Sequence, residues 1–312
     1  MRKLVVPVSL LLLWAVPGRA QETVLVISPE KPAPGAVVRL TLDYAPGDTD
    51  PAVAVRGSMA GEQLHFVYAG GGAWRALGGV PVDATDSVVA RVAVERASGM
   101  LDTVRAAAAL PRPRPSGPPR RLAVATRFTQ PLDSATQARI AAENRRATEV
   151  GRRAHSTPPM WTSPFLQPRD SRVTSVFGSG RSFNGRVTSR HLGVDFAGGT
   201  GAPVRAANRG IVALVDTFFL AGQVIYVDHG AGIVTGYFHL SETMVSAGDT
   251  VERGQRIGSV GASGRVTGPH LHWSARYGTL AVNPLDLVAA GGWYVSTAGI
   301  RSNDQTADED AQ

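Results

Sequence analysis

The sequence predicts an all-β protein with an N-terminal β-sandwich, a short linker helix and a C-terminal antiparallel β-sheet domain. Short apolar runs separated by glycine- and proline-rich turns recur along residues 22–109 and again from Met160, a spacing typical of all-β domains. Residues 110–159, between these two regions, combine a proline-rich stretch with a run of helix-forming residues. A chain of 312 residues is also long enough for about two domains.

Residues 1–20 have the pattern of a signal peptide. Arg2 and Lys3 precede an apolar run over Leu4–Val16, and Gly18–Ala20 supplies small residues for cleavage before Gln21. An uncleaved amino-terminal anchor is the alternative. No later apolar run approaches the ~20 residues that a membrane helix needs. We therefore expect an exported protein, in the periplasm or the extracellular cell envelope, without stable membrane insertion after cleavage.

The charge and the cysteine count limit the classes of partner. The formal net charge is +7, and removing residues 1–20, which carry three basic residues and no acidic ones, leaves +4. Nearly all of the positive charge is arginine, whose planar guanidinium suits carboxylates and phosphates. We expect an anionic envelope component rather than nucleic acid as the partner. The chain has no cysteine, so its domains must be stabilised by core burial without disulfides.

The N-terminal domain, residues 22–109, is predicted to be a small immunoglobulin-like sandwich, because several short strands follow one another with turns between them. The predicted strands cover residues 25–27, 37–42, 64–68, 74–77, 88–94 and 103–105. Trp74 is expected in the core. His65 has no partner motif, so a ligand role is not expected for it.

The linker region, residues 110–159, is predicted to contain three elements. They are a stiff extended spacer over 111–119, a strand over 122–128 and a helix over 135–153. Ser134, with Gln137 three residues later, has the pattern of a capping box at the start of the helix. His155, just beyond the helix, is expected to be solvated.

The C-terminal domain, residues 160–292, returns to a β pattern. Strands are predicted over residues 211–215, 224–227, 233–239 and 257–260. The glycine-rich segment Asp228–Gly232 is predicted to be a hairpin connection. The acidic residues 301–312 are predicted to form a disordered tail.

A metal site is indicated by three histidine-containing segments, His191–Asp195, Tyr237–His239 and His270–Trp273. His270 and His272 alternate with Leu271 and Trp273, so the two imidazoles are predicted to share one face of a strand. In His191–Asp195 (HLGVD), a histidine and a carboxylate lie on either side of a glycine turn. One carboxylate and two imidazoles would make a three-ligand site with a fourth position free, as in catalytic zinc sites, whereas structural zinc is closed by four ligands that usually include cysteine. The residues alone therefore predict a zinc hydrolase.

Six motifs, in this order, resemble those of the lysostaphin-like (M23) zinc metallopeptidases, which hydrolyse bacterial peptidoglycan. They are Ser175–Gly178 (SVFG), His191–Asp195 (HLGVD), Gly201–Ala206 (GAPVRA), Tyr237–Leu240 (YFHL), Gly254–Gly258 (GQRIG) and Gly268–Trp273 (GPHLHW). The resemblance covers about residues 165–290. Cupins also use an HxH pair, but they place a glutamate three or four residues later, where this chain has Ala275 and Arg276.

The resemblance implies one Zn²⁺ per chain, bound by His191, Asp195 and His272. It also implies that His239 and His270 are catalytic histidines that do not bind the metal, and it leaves open which of them is the base. The implied function is a zinc endopeptidase that hydrolyses peptide cross-links of peptidoglycan. The alternative is a catalytically silent cell-wall binding or amidase-activating protein on the same fold. Such proteins typically lose ligand residues, and here none is missing.

A few other polar residues near these motifs have two interpretations. Arg181, Asn184 and Arg186 could bind substrate carboxylates or be solvated loop residues. Tyr237 could orient His239 or contact substrate, or it could pack in the core. His229, in the predicted hairpin, is not expected to be a ligand.

Overall fold

The computed structural model describes residues 23–44, 49–112 and 118–290. Strands dominate these residues, and nearly all of the strand pairs are antiparallel, so the predicted all-β class is confirmed. The predicted signal peptide (residues 1–20), the predicted tail (301–312) and residues 113–117 of the proline spacer lie outside the described residues.

The N-terminal domain consists of two four-stranded sheets packed face to face. Its strands are β1 Val24–Ser28, β2 Val37–Asp43, β3 Ala52–Met59, β4 Glu62–Leu64, β5 Val67–Gly70, β6 Ala73–Gly79, β7 Ser87–Arg96 and β8 Leu101–Ala109. One sheet has the order β1-β2-β6-β5 and the other β4-β3-β7-β8. Side chains that alternate between the two faces of each strand form the core between the sheets. In β2, for example, Val38, Leu40 and Leu42 are fully buried while Arg39 points outward. Trp74 is partly buried against this core, as expected. A two-sheet sandwich is thus present, and its immunoglobulin-like class stays a prediction.

Two features of the sandwich differ from the sequence prediction. Strand β3 was not predicted, because Ala52–Met59 alternates only weakly between apolar and polar residues. The single strand predicted over residues 64–68 is wrong, since the chain changes sheets there. β4 pairs with β3 in one sheet and β5 pairs with β6 in the other, so His65 and Phe66 connect the two sheets.

The linker region contributes a short strand and a helix. Strand β9 covers only Arg120–Leu122, and a 3₁₀ turn follows at Thr126–Phe128, so the strand predicted over residues 122–128 is mostly wrong. The helix α1, Ser134–Arg153, is confirmed to within one residue, but its N-cap is Asp133, whose carboxylate accepts a hydrogen bond of 2.6 Å from the Thr136 N–H. The helix lies across the C-terminal sheet with few buried residues, Ala147 among them.

The C-terminal domain is built on a large antiparallel sheet. Its elements are β10 Val173–Ser175, β11 Gly180–Phe183, β12 Val187–Arg190, β13 Val194–Ala197, β14 Pro203–Arg205, β15 Gly210–Phe218, β16 Gly222–Gly230, β17 Ile233–Thr243, β18 Thr250–Val251, β19 Arg256–Val260, β20 His270–Tyr277, β21 Leu280–Val282 and α2 Pro284–Ala289. The main path has the order β10-β13-β20-β17-β16-β15-β18. A second, three-stranded sheet has the order β12-β11-β9, in which β9 is parallel to β11. The linker strand is therefore part of the C-terminal domain.

The sandwich contacts the C-terminal domain through polar groups with little exposure. The Glu62 carboxylate, 7% exposed, accepts a hydrogen bond of 2.9 Å from the Thr279 N–H. It also lies 2.8 Å from His155 Nε2, and His155 Nδ1 lies 2.9 Å from His65 Nε2. The Tyr277 hydroxyl donates to the Gln63 carbonyl at 2.7 Å. The expectation that His155 is solvated is wrong, because the sandwich covers it. Within the described ranges, no helix is long and apolar enough to cross a membrane.

Candidate metal centre and cleft

The strand order β13-β20-β17 brings the predicted site residues together. Asp195 on β13 lies directly opposite His272 on β20. His191 lies in the glycine turn just before β13. Its Nε2 lies 2.9 Å from His272 Nδ1 and 3.0 Å from an Asp195 carboxylate oxygen. The same oxygen lies 2.9 Å from His272 Nδ1. One donor atom from each residue thus lies within 4.8 Å of the others.

The protonation state of this triad suits a cation. Burial lowers the pKa of His272 to about 4, so its ring is neutral near pH 7. Burial alone raises the pKa of the Asp195 carboxyl, but the close approach of the His191 and His272 ring nitrogens outweighs it and holds that pKa well below its ordinary value. The Nδ1 of His191 lies 2.9 Å from the Val176 carbonyl oxygen, which directs Nε2 toward the triad as the acceptor. Two imidazoles and one carboxylate are ligands that catalytic Zn²⁺ takes, so the donor set fits this metal.

Two further histidines lie beside the triad. The ring of His239 is 5.0 Å from that of His270 and 6.0 Å from that of His272, between centroids. Each has Nδ1 at 2.8 Å from a backbone carbonyl, that of Ser263 for His239 and that of Gly268 for His270. Because each carbonyl accepts a hydrogen bond from Nδ1–H, the Nε2 atom of each ring remains available to exchange a proton or to contact an oxygen.

The backbone at His239 is strained. Its φ is 63°, in the left-handed region that non-glycine residues seldom adopt, and it lies next to a register shift in the pairing of β17 with β19. Burial, followed by repulsion from His270 and His272, holds the pKa of His239 well below its ordinary value. Strain of this kind is typical of functional positions.

A cleft of about 310 Å³ opens beside the triad. Its wall is contributed by Arg120 of β9, Ser175, Arg181, Asp195, Arg265 and His270, among others. His270 and His272 share one face of β20, as predicted, because both rings approach Asp195. His270 Nε2 lies 3.8 Å and His272 Nδ1 2.9 Å from the same Asp195 carboxylate oxygen. The five predicted residues therefore meet at one place on the sheet.

The three polar residues of the loop before the metal motif do not act as one group. Arg181 donates hydrogen bonds to the Asp195 carboxylate and to Ser175 Oγ, the latter at 3.0 Å. Asn184 exchanges hydrogen bonds of 2.9 and 3.0 Å with the backbone of Val124 and so fixes the linker. Arg186 is exposed at the hairpin between β11 and β12. Only Arg181 reaches the site.

Tyr237 and His229 belong to the core. Tyr237 is fully buried, and its hydroxyl accepts a hydrogen bond of 2.8 Å from the Ala207 N–H. His229 is also fully buried, with Nδ1 at 2.7 Å from the Arg209 carbonyl and Nε2 at 2.8 Å from Thr235 Oγ1. Both ring nitrogens of His229 are engaged outside the triad, which agrees with the expectation that it is no ligand.

Sequence reasoning missed three contributors to the site. Ser175 Oγ lies 3.2 Å from His191 Nδ1, and Ser263 supplies the carbonyl that orients His239. Arg265 lies in the loop before β20 and lines the cleft. Ser175 begins the motif Ser175–Gly178 and could have been found there, whereas nothing in its local sequence distinguishes Arg265 from the other arginines.

Gly193 allows the metal motif to approach β20. A Cβ at this position would lie 2.6 Å from His272 Cε1 and Nε2 and 2.6 Å from the Trp273 carbonyl oxygen. Gly193→Ala should therefore displace the His272 ring and weaken zinc binding about 10- to 100-fold, the scale seen when the support of a ligand is removed. Zinc titration against a competing chelator measures the change. Gly199→Ala is the matched control, because a Cβ there meets nothing within 4 Å. Equal zinc affinity in the two variants would contradict this role for Gly193.

The donor set is of the kind that open-site metallohydrolases use, with three potential ligands that converge and two further histidines beside them. Residues 189–284 match Peptidase family M23, and the chain carries a domain of this family.

Curated relatives and a solved structure agree with this family. The Vibrio cholerae peptidoglycan DD-endopeptidase ShyA is 46% identical over 111 residues, which are 34% of this chain and 25% of that protein. The Neisseria meningitidis DD-carboxypeptidase/endopeptidase Mpg is 36% identical over 117 residues, 38% of this chain and 27% of that protein. A Pseudomonas aeruginosa protein assigned to peptidase M23 has a crystal structure with a TM-score of 0.61 and 28% identity, over 83% of this chain and 96% of that chain. The matched segments thus span about a quarter of the two curated relatives, whereas the structural likeness extends beyond residues 189–284.

Proposed function

We propose that the chain is a zinc-dependent endopeptidase that hydrolyses peptide cross-links of bacterial peptidoglycan. The observation that carries the proposal is the meeting of His191, Asp195 and His272 with two further histidines beside one cleft, which Asp195 and His270 line. The relatives named as peptidoglycan DD-endopeptidases support the substrate class. We also propose the domain limits stated above and export through residues 1–20, which places the protein where peptidoglycan is found.

In the proposed mechanism, His191 Nε2, His272 Nδ1 and an Asp195 carboxylate oxygen would hold the metal, which would supply Lewis acidity to the scissile carbonyl and the attacking water. His239 and His270 present free Nε2 atoms beside it. One accepts the proton of the attacking water and returns it to the leaving amine. The other donates a hydrogen bond to the oxygen that gains charge. Because a carbonyl accepts a hydrogen bond from Nδ1 of each ring, the ring that acts as the base has an unprotonated Nε2, and the ring that donates must carry a second proton on Nε2 as an imidazolium.

The proposal predicts a specific change in isolated sacculi. The zinc-loaded protein should convert cross-linked muropeptide dimers to monomers and leave the glycan strands intact. Mass spectrometry of digested sacculi measures this, and His270→Ala serves as the control. New ends at the sugar–peptide amide would indicate an amidase instead. Sacculus binding without products would favour the catalytically silent binder.

A further inference from the structure

The cleft beside the triad carries more positive than negative charge. Its lining includes the guanidinium groups of Arg120, Arg181 and Arg265, and Asp195 is the one carboxylate among the described residues that line it. Arg181 already donates to Asp195, and that carboxylate belongs to the triad that a cation would share. The charges of Arg120 and Arg265 are therefore left without a neutralising side chain in the cleft.

Arg265 is held in place without being neutralised. Its guanidinium carbon lies 3.9 Å from the centroid of the Phe183 ring, a buried side chain of β11. Its backbone N–H donates to the Leu220 carbonyl at 2.8 Å, which fixes the loop. Within the described residues, no ion pair or side-chain hydrogen bond involves its guanidinium. Stacking on an aromatic ring leaves the donor edge of a guanidinium free for an anion.

The electrostatics of the wall agree with an anion site. Burial lowers the pKa of Arg265, and the charge of Arg181 lowers it further. Like charges held close together in a half-buried wall are relieved when an anion binds between them.

We infer that Arg265, with Arg120, forms a subsite that binds a free carboxylate of the substrate peptide next to the amide that is cleaved. A carboxylate is favoured because the guanidinium fork matches its two oxygens. A position next to the scissile amide follows because His270 lines the same cleft, and a volume of about 310 Å³ is at the lower end for ligand pockets. The inference rests on the proposed function and deepens it by naming a specificity-determining residue.

Two synthetic cross-linked stem peptides provide the test, identical except that one has a carboxamide in place of the carboxylate next to the scissile amide. Wild-type full-length protein should prefer the carboxylate peptide by roughly ten- to hundredfold in kcat/KM, the scale of a charged hydrogen bond. In Arg265→Gln this preference should fall to within about threefold, because cleavage of the carboxylate peptide should fall much more than cleavage of the carboxamide peptide. Arg265→Lys, which keeps the charge but not the fork, should be intermediate, and Arg120→Gln should have a smaller effect because Arg120 is exposed.

Arg186→Gln is the matched control, since Arg186 is exposed and does not line the cleft, and it should keep the wild-type preference. Equal cleavage of the two peptides by the wild type, or an unchanged preference in Arg265→Gln, would overturn the inference and leave the proposed function standing.

Calorimetric binding of the same two peptides to the zinc-free protein separates the subsite from catalysis. The carboxylate peptide should bind about tenfold more tightly than the carboxamide peptide, and Arg265→Gln should remove the difference. Selective binding together with no cleavage by the zinc-loaded protein would support the subsite and overturn the proposed function. Binding without selectivity would overturn the subsite.

Discussion

Replacing His191 or Asp195 with alanine is expected to remove bound zinc and hydrolysis together. The triad offers three donor atoms within 4.8 Å, so the loss of one leaves only two ligands. Loss of an outer partner of a metal ligand already costs about 10- to 100-fold in affinity, and loss of a ligand itself should cost at least as much. Elemental analysis of the purified variants, with turnover of a cross-linked peptide measured in parallel, checks this.

Asp195→Asn refines the first prediction. It keeps the shape of the side chain and removes the charge that both histidines face at 2.9–3.0 Å. Zinc should therefore bind far more weakly in the asparagine variant although the fold, followed by circular dichroism, is kept. A full zinc complement in His191→Ala or Asp195→Ala would remove that residue from the ligand set.

His239→Ala and His270→Ala are expected to keep zinc and to lose on the order of 10²-fold or more in rate, the scale of general acid–base catalysis. Neither residue belongs to the triad, and each presents a free Nε2 next to it. Zinc content and kcat measured on the same preparations separate the two properties. Near wild-type turnover in either variant would show that its histidine takes no part in the reaction, and loss of zinc would make it a ligand.

The site was largely predictable from the sequence because its determinants are local. The alternation of His270 and His272 on a strand, and the turn between His191 and Asp195, depend only on neighbouring residues. That these two motifs meet in space depends on strand pairing, which local sequence does not reveal. The family resemblance provided that expectation. The structure confirms that pairing through the register of Asp195 opposite His272.

The features that sequence analysis missed depend on contacts between distant segments. The chain changes sheets at His65 because β4, before it, pairs with β3, whereas β5, after it, pairs with β6. His155 is covered only because Glu62 and His65 approach from the other domain. Strand β9 pairs with a strand some 60 residues later, and its own three residues carry no distinguishing apolar pattern.

The parallel pairing of β9 with β11 has a consequence for how members of this family diverge. The family match begins at residue 189, after both of these strands, so one wall of the cleft, which includes Arg120 and Arg181, is encoded apart from the motifs that carry the histidines. Selection acting on the shape and charge of that wall can therefore proceed while the histidine motifs stay constant. Two proteins with nearly identical matched segments can thus differ in the peptides they accept through changes in a strand of three residues, Arg120–Leu122.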